Sequence, residues 1–60
     1  MMIYRVVDDE TGKELHKLFP RHAALMWAAR WCDDNDYGKI DINDEEKMVL
    51  VSRGEHVSRR

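Results

Sequence analysis

The chain has only one cysteine and three isolated glycines, and these scarcities exclude several classes of protein. Cys32 has no second thiol in the chain with which to form a disulfide, and a lone thiol in a short chain is typical of a reducing compartment. The histidines are not spaced as zinc ligands are, and the glycines do not form a phosphate-binding loop. We find no nucleophile–base pair either. The sequence therefore predicts no catalytic residues, no metal, no cofactor and no enzymatic activity.

Long apolar runs are also missing from the chain. No segment approaches the roughly 18 apolar residues that cross a membrane. The first ten residues, MMIYRVVDDE, lack the basic segment followed by an apolar run that marks a signal peptide. We therefore expect a cytoplasmic protein without a membrane segment. A length of 60 residues, with 43% apolar and 37% charged residues, predicts a single globular domain over residues 1–60.

The first half of the chain predicts a β-hairpin followed by a helix. Residues 2–8 and 13–19 have the β-branched and aromatic content of strands, and Gly12 between them can take the positive φ that closes a hairpin. Pro20 suits the start of a helix, because a missing N–H costs nothing there. Residues 21–36 then have high helix propensity.

The second half predicts another hairpin. Residues 38–42 and 47–52 have strand character around the turn NDEE, and Gly38 is available for a left-handed turn after the helix. A helix that begins at Asn43 is the open alternative. Residues 53–60 form a polar tail that we expect to be loose. The order ββαββ predicts an α+β domain in which one helix packs across one face of a four-stranded antiparallel sheet.

The predicted helix is apolar over a wider arc than one sheet can cover. Over residues 23–32 only Arg30 is charged, whereas a helix on one sheet needs an apolar stripe of little more than about 100°. In one interpretation Trp27 or Trp31 covers the edge of the sheet and Met26 is an isolated exposed residue. In the other, the surplus face is a contact surface, most simply that of a homodimer. This predicted helix interface comprises Ala23, Met26, Trp27, Arg30 and Trp31.

Acidic residues are concentrated in one segment. Residues 33–46 contain seven of the twelve acids and a single lysine. One interpretation is a solvated turn and hairpin that blunts an edge strand. The other is a surface that docks a basic, nucleic-acid-handling partner. The predicted acidic partner surface comprises Asp33, Asp34, Asp36, Asp41, Asp44, Glu45 and Glu46.

Part of this segment resembles the calcium loop of EF-hand proteins. The pattern D-x-[DN]-x-[DN]-G, with a hydrophobic residue at the eighth place and an acid at the twelfth, matches residues 33–44 at five places, and Asp41 falls at the ninth place, a further ligand position. The resemblance implies calcium ligands on a loop between two helices. However, Tyr37 stands where an oxygen ligand is expected, and the strand-like KMVLVS follows, so we predict no calcium site. The matching residues are Asp33, Asn35, Gly38, Ile40, Asp41 and Asp44.

These observations favour a non-enzymatic protein-interaction module, a homodimer that regulates or inhibits a partner protein of unknown identity. Small size and a lone cysteine are typical of the accessory proteins of phages and mobile elements. The alternative is a small nucleic-acid-binding regulator that uses the basic end of the chain, residues 47–60. A net charge of −2 argues against that alternative, and Tyr4 and Phe19 are the evident aromatic residues for base stacking on the strands.

Overall fold

Five elements follow the predicted order along the chain. The computed structural model describes residues 3–18 and 20–54, and residues 55–60 of the predicted tail lie outside that part. The predicted α+β class and ββαββ order are confirmed, and the alternative helix beginning at Asn43 is wrong. The elements are β1 (Tyr4–Asp8), β2 (Lys13–Leu18), α1 (Arg21–Asn35), β3 (Lys39–Asn43) and β4 (Met48–Ser52).

The sheet is mixed, which corrects the prediction of a wholly antiparallel sheet. Its strand order is β2-β1-β4-β3; the two hairpin pairs are antiparallel, but the central strands β1 and β4 are parallel. The physical reason is the path of α1. Because the helix starts where β2 ends and carries the chain back along the sheet, β3 runs in the same direction as β2. The second hairpin then reverses the chain, and β4 runs parallel to β1.

The two faces of the sheet have different surroundings. Successive side chains of a strand alternate between faces, and on the face under α1 Val6, Val49 and Val51 are fully buried. The helix contributes small side chains to this contact, namely Ala24, Ala28 and Cys32, so it lies close to the sheet. We call the opposite side the open face. The buried hydrophobic core of the described residues consists of Tyr4, Val6, Ala24, Ala28, Cys32, Val49 and Val51.

A β-bulge in β2 sets which of its side chains lie under the helix. Val6 pairs with His16 and Val7 pairs with Glu14, so Leu15 is the extra residue. Leu15 packs against the core, and the His16 ring lies beside α1. This edge strand therefore supplies one wall of the surface described below.

The turns match the prediction at one glycine and depart from it at another. Gly12 has the expected positive φ of 80°, and its N–H donates to the carbonyl of Asp8. After α1, Asp36 and not Gly38 takes the left-handed conformation, with φ 63°. Aspartate is one of the few residues with a side chain that tolerates this region. Among the described residues, no helix is long and apolar enough to cross a membrane.

Candidate functional site

A shallow, mostly apolar groove runs along the exposed side of α1. It is centred on Met26, whose side chain is 68% exposed, against 49% for Ile3 and 37% for Ile40. Four of the five residues of the predicted helix interface line it. We call the complete set the helix patch: His22, Ala23, Met26, Trp27 and Arg30.

Trp27 forms the wall of the groove nearest the sheet. Its half-buried indole lies 4.8 Å, between ring centroids, from the imidazole of His16 on β2. An aromatic ring held in this way offers apolar area at low cost in conformational entropy. Trp31, the remaining residue of the predicted interface, does not line the groove. Its ring packs edge-on against Tyr37, at 4.7 Å between centroids.

Charged side chains extend the helix patch toward the end of α1. At 3.6 residues per turn, positions four before and four, seven and eight after Met26 share its side of the helix. These positions hold His22, Arg30, Asp33 and Asp34, all exposed. Sequence reasoning missed His22, although its spacing of four residues from Met26 was a usable signal.

The structure separates the predicted acidic partner surface into three places. One group is in the last turn of α1 and its C-cap, and another is in the β3–β4 turn at the opposite end of the sheet. The strand between them spans five residues, about 13 Å at 3.3 Å per step. Asp41 lies on the open face, where its carboxylate is 3.7 Å from Lys39. The seven acids therefore do not form one continuous surface.

Asp44 joins three elements instead of standing free. Its carboxylate accepts hydrogen bonds from the Tyr4 hydroxyl at 2.7 Å and from the Arg21 guanidinium at 2.8 and 3.3 Å. The bond from Arg21 is the main reason that the pKa of Asp44 is lowered. The bond to Asp44 is the main reason that the pKa of Tyr4 is raised. This contact fixes the β3–β4 turn to the start of α1 and leaves Glu45 and Glu46 as the acids of the turn that form no ion pair among the described residues.

A second polar contact, not predicted from the sequence, anchors the other end of α1. The buried carboxylate of Asp8 accepts hydrogen bonds from the Tyr37 hydroxyl and from the backbone N–H of Glu10, each at 2.9 Å. The guanidinium of Arg53 lies 5.4 Å from the centre of the Tyr37 ring. Burial, followed by the bond to Asp8, raises the pKa of Tyr37. These residues hold the helix end on the sheet.

The open face of the sheet is the other large surface in the described part of the chain. Its centre is half-buried and apolar, with Val7, Met48 and Leu50. Charged side chains border it: Glu14 lies 3.7 Å from Arg5 and 3.9 Å from Lys17. Long paired side chains of this kind cover apolar area with their aliphatic stems. None of these apolar side chains is as exposed as Met26 of the helix patch.

Aromatic residues for base stacking are not found on the open face in the described strands. Tyr4 lies under α1 and is only 7% exposed, with its hydroxyl bound to Asp44. Phe19 lies outside the described residues, as do residues 55–60 of the basic end of the chain. The stacking surface expected of the nucleic-acid alternative is thus not provided by Tyr4.

Cys32 is buried against the sheet as part of the core. Burial, with a further contribution from the carboxylate of Asp33, raises the pKa of its thiol. Because the thiolate is the nucleophilic form, this environment disfavours reactivity. Cys32 therefore acts as a small apolar side chain in the core.

The segment that resembles an EF-hand loop does not form one. Residues 33–35 belong to α1, residues 39–43 form β3, and Asp44 binds Arg21 at the far end of the sheet. Within residues 3–18 and 20–54, no group of three or more His, Cys, Asp or Glu side chains could hold a metal ion. That the chain binds no calcium stays a prediction, which a calcium titration would test.

Comparison with protein-family models, with curated proteins and with solved structures finds no match to this chain. The chemistry of the surface is thus the guide to function. In the described part of the chain, the helix patch combines the most exposed large apolar side chain with an aromatic wall and flanking charges.

Proposed function

We propose that this chain is a non-enzymatic protein-interaction module and that the helix patch is its contact surface. The observation that carries the proposal is the exposure of Met26 beside Trp27 in a mostly apolar groove. Burial of one such side chain in an interface is worth about 1.5–3 kcal/mol. Covering the exposed Met26 side chain with a partner therefore lowers the free energy of the complex.

The composition of the helix patch supports the proposal. Methionine, tryptophan and arginine are enriched in protein–protein interfaces relative to the rest of the surface. Trp27 is packed against His16, and Met26 has the flexible thioether that adapts to a partner's shape. Arg30 at the border can form charged hydrogen bonds at the rim of the contact.

A module of this kind acts by occupying a surface and not by chemistry. Regulation or inhibition of the bound protein is the function that follows from such occupancy. Glu45 and Glu46 are the acids of the β3–β4 turn that form no ion pair among the described residues, and they can add electrostatic steering toward a basic partner. These two acids would then affect the association rate more than the dissociation rate of the complex.

The proposal is tested by affinity capture with three immobilised baits: the wild-type chain, Met26→Glu and Ile3→Glu. Ile3→Glu is the matched control, because it also places a carboxylate on an exposed apolar position but lies outside the helix patch. We expect a bound protein to be retained by wild type and Ile3→Glu and lost from Met26→Glu. Reconstitution with the purified partner should show at least a tenfold weaker dissociation constant for Met26→Glu, about 1.4 kcal/mol.

The opposite results have different meanings. Equal capture by all three baits would contradict a role for the helix patch. Binding of a labelled mixed-sequence duplex or single strand by wild type, with affinity that falls steeply with salt, would favour the nucleic-acid alternative. Met26→Glu and Ile3→Glu should weaken that binding equally.

A further inference from the structure

The charges at the two ends of α1 are placed against the preference of an isolated helix. Acids stabilise the first turn of a helix and bases the last turn, because of the partial charges at its ends. In α1 the first turn contains no acid and the last turn contains no base. The first turn instead holds Arg21 and His22, and the last turn holds Asp33 and Asp34. Departures of this kind from local preference are expected where function compensates for them.

Arg21 is explained within the chain, because its guanidinium binds Asp44. The exposed residues His22, Asp33 and Asp34 have no ion-pair partner among the described residues. They share the side of the helix that carries Met26. This side of α1 therefore runs from the imidazole of His22, across an apolar centre at Met26, to Arg30 and then to the carboxylates of Asp33 and Asp34.

We infer that the occupant of the helix patch is a second copy of this chain, with the two α1 helices packed side by side in antiparallel orientation. This inference rests on the proposed function and names the partner. A surface with an imidazole N–H donor at one end and carboxylate acceptors at the other brings donor to acceptor when it is rotated onto itself about a twofold axis. Twofold dimers with such self-complementary contacts are the commonest oligomers.

The pairing of hydrogen-bond donors with acceptors also places the twofold axis. With the axis at the level of residue 28 along the exposed side of the helix, His22 faces the partner's Asp34 and Met26 faces the aliphatic stem of the partner's Arg30. With the axis at Met26, His22 would instead face the partner's Arg30, which leaves two hydrogen-bond donors opposed. A parallel arrangement would place the acidic ends together. The antiparallel pair centred at the level of residue 28 is the one in which His22 meets a carboxylate.

The size of the contact sets the expected affinity. A helix of 15 residues is about 22 Å long and about 10 Å across. Contact along one such helix buries less than about 1,200 Å² in total, which is the range of weak complexes. We therefore expect a dissociation constant in the micromolar range or above, and measurements should extend to about 1 mM.

The test is a charge exchange between two variants, with self-association measured by sedimentation equilibrium. The basic variant, Asp33→Lys with Asp34→Lys, has bases at both ends of the face. The acidic variant, His22→Glu with Arg30→Glu, has acids at both ends. Each should self-associate at least tenfold more weakly than wild type, whereas an equimolar mixture should form a heterodimer at least as tight as the wild-type dimer.

Two controls separate this effect from damage to the fold. Lysines at 33 and 34 and a glutamate at 22 match the preference of an isolated helix, whereas Arg30→Glu adds an acid one turn from Asp33 and Asp34, so the melting temperatures of both variants at low concentration should stay within about 4 °C of wild type. Asp9→Lys with Asp41→Lys makes the same change in net charge as the basic variant, but at exposed positions outside the helix patch, in the turn after β1 and on the open face. Its self-association should match that of wild type within twofold.

Failure of the inference can be distinguished from failure of the proposed function. If the wild-type chain dimerises but the basic and acidic variants do not prefer each other in the mixture, the antiparallel arrangement is wrong. If the wild-type chain is a monomer at 1 mM, the occupant is not a second copy. In both cases the capture experiment with Met26→Glu still decides whether the helix patch binds another protein. If Met26→Glu changes neither self-association nor capture, both proposals are wrong.

Discussion

Replacement of Val6 by alanine measures how much stability comes from the single-sided core. Val6 is fully buried between the sheet and α1. The change removes two carbon atoms, worth about 1.6 kcal/mol at about 0.8 kcal/mol each. The cavity that they leave, on the order of 50 Å³, adds about 1 kcal/mol at about 24 cal/mol per Å³. The free energy of unfolding should therefore fall by about 2–3 kcal/mol.

That loss is large for a chain of this length. Natural domains are stable by roughly 0.05–0.15 kcal/mol per residue, or about 3–9 kcal/mol for this one. At about 4–8 °C per kcal/mol, the melting temperature of Val6→Ala should be about 10–20 °C below that of wild type. Urea and thermal unfolding followed by circular dichroism at low micromolar concentration would measure both quantities.

Val7→Ala is the matched control for this experiment. Val7 is the next residue of β1, but its side chain lies half-buried on the open face. Both variants lose the same β-branched side chain from the same strand, so the difference between them reports burial. We expect Val7→Ala to cost under about 1 kcal/mol. Equal costs for the two variants would refute the conclusion that only one face of the sheet is covered.

Three further predictions follow from the polar contacts and the thiol. Because the bond from Arg21 lowers the pKa of Asp44, the stability that this carboxylate adds is complete above the usual aspartate pKa and is lost as pH falls below roughly 4. Acid unfolding of Asp44→Asn should therefore lack this pH-dependent part. Cys32 should react with a disulfide reagent far more slowly in the folded chain than in urea, because burial raises the pKa of its thiol. Glu45→Lys with Glu46→Lys should leave the free energy of unfolding within about 0.5 kcal/mol of wild type, while a basic partner that these acids steer should associate more slowly and with less salt dependence.

Local sequence patterns were sufficient for the elements but not for the direction of the strands. The alternation in β4 puts Val49 and Val51 on one face, and the structure buries both. The parallel pairing of β1 with β4 depends on the route of the helix across the sheet, which no local pattern encodes. Similarly, the left-handed residue after α1 is Asp36 because the chain turns there, although Gly38 has the more permissive backbone.

The part of the candidate site that lies on α1 alone could be predicted from the sequence. The near absence of charge over residues 23–32 indicated an exposed apolar side, and the structure places Met26 in the groove. Trp31 was assigned to the same surface, but the turn after α1 brings Tyr37 against its ring. The acids of residues 33–46 are close in sequence, which is why the sequence predicts one surface. Strand β3 separates them in space, because an extended strand carries the chain to the other end of the sheet.

The helix patch as a contact surface is tested most directly by the methyl signals of the methionines in nuclear magnetic resonance. Met26 lies at the centre of the helix patch and Met48 lies on the open face, so one sample reports on both surfaces. Between about 10 μM and 1 mM protein, we predict that the Met26 methyl signal shifts and broadens with concentration while the Met48 signal stays unchanged. A shift confined to Met48 would place the contact on the sheet, and the absence of any shift at 1 mM would contradict self-association through α1.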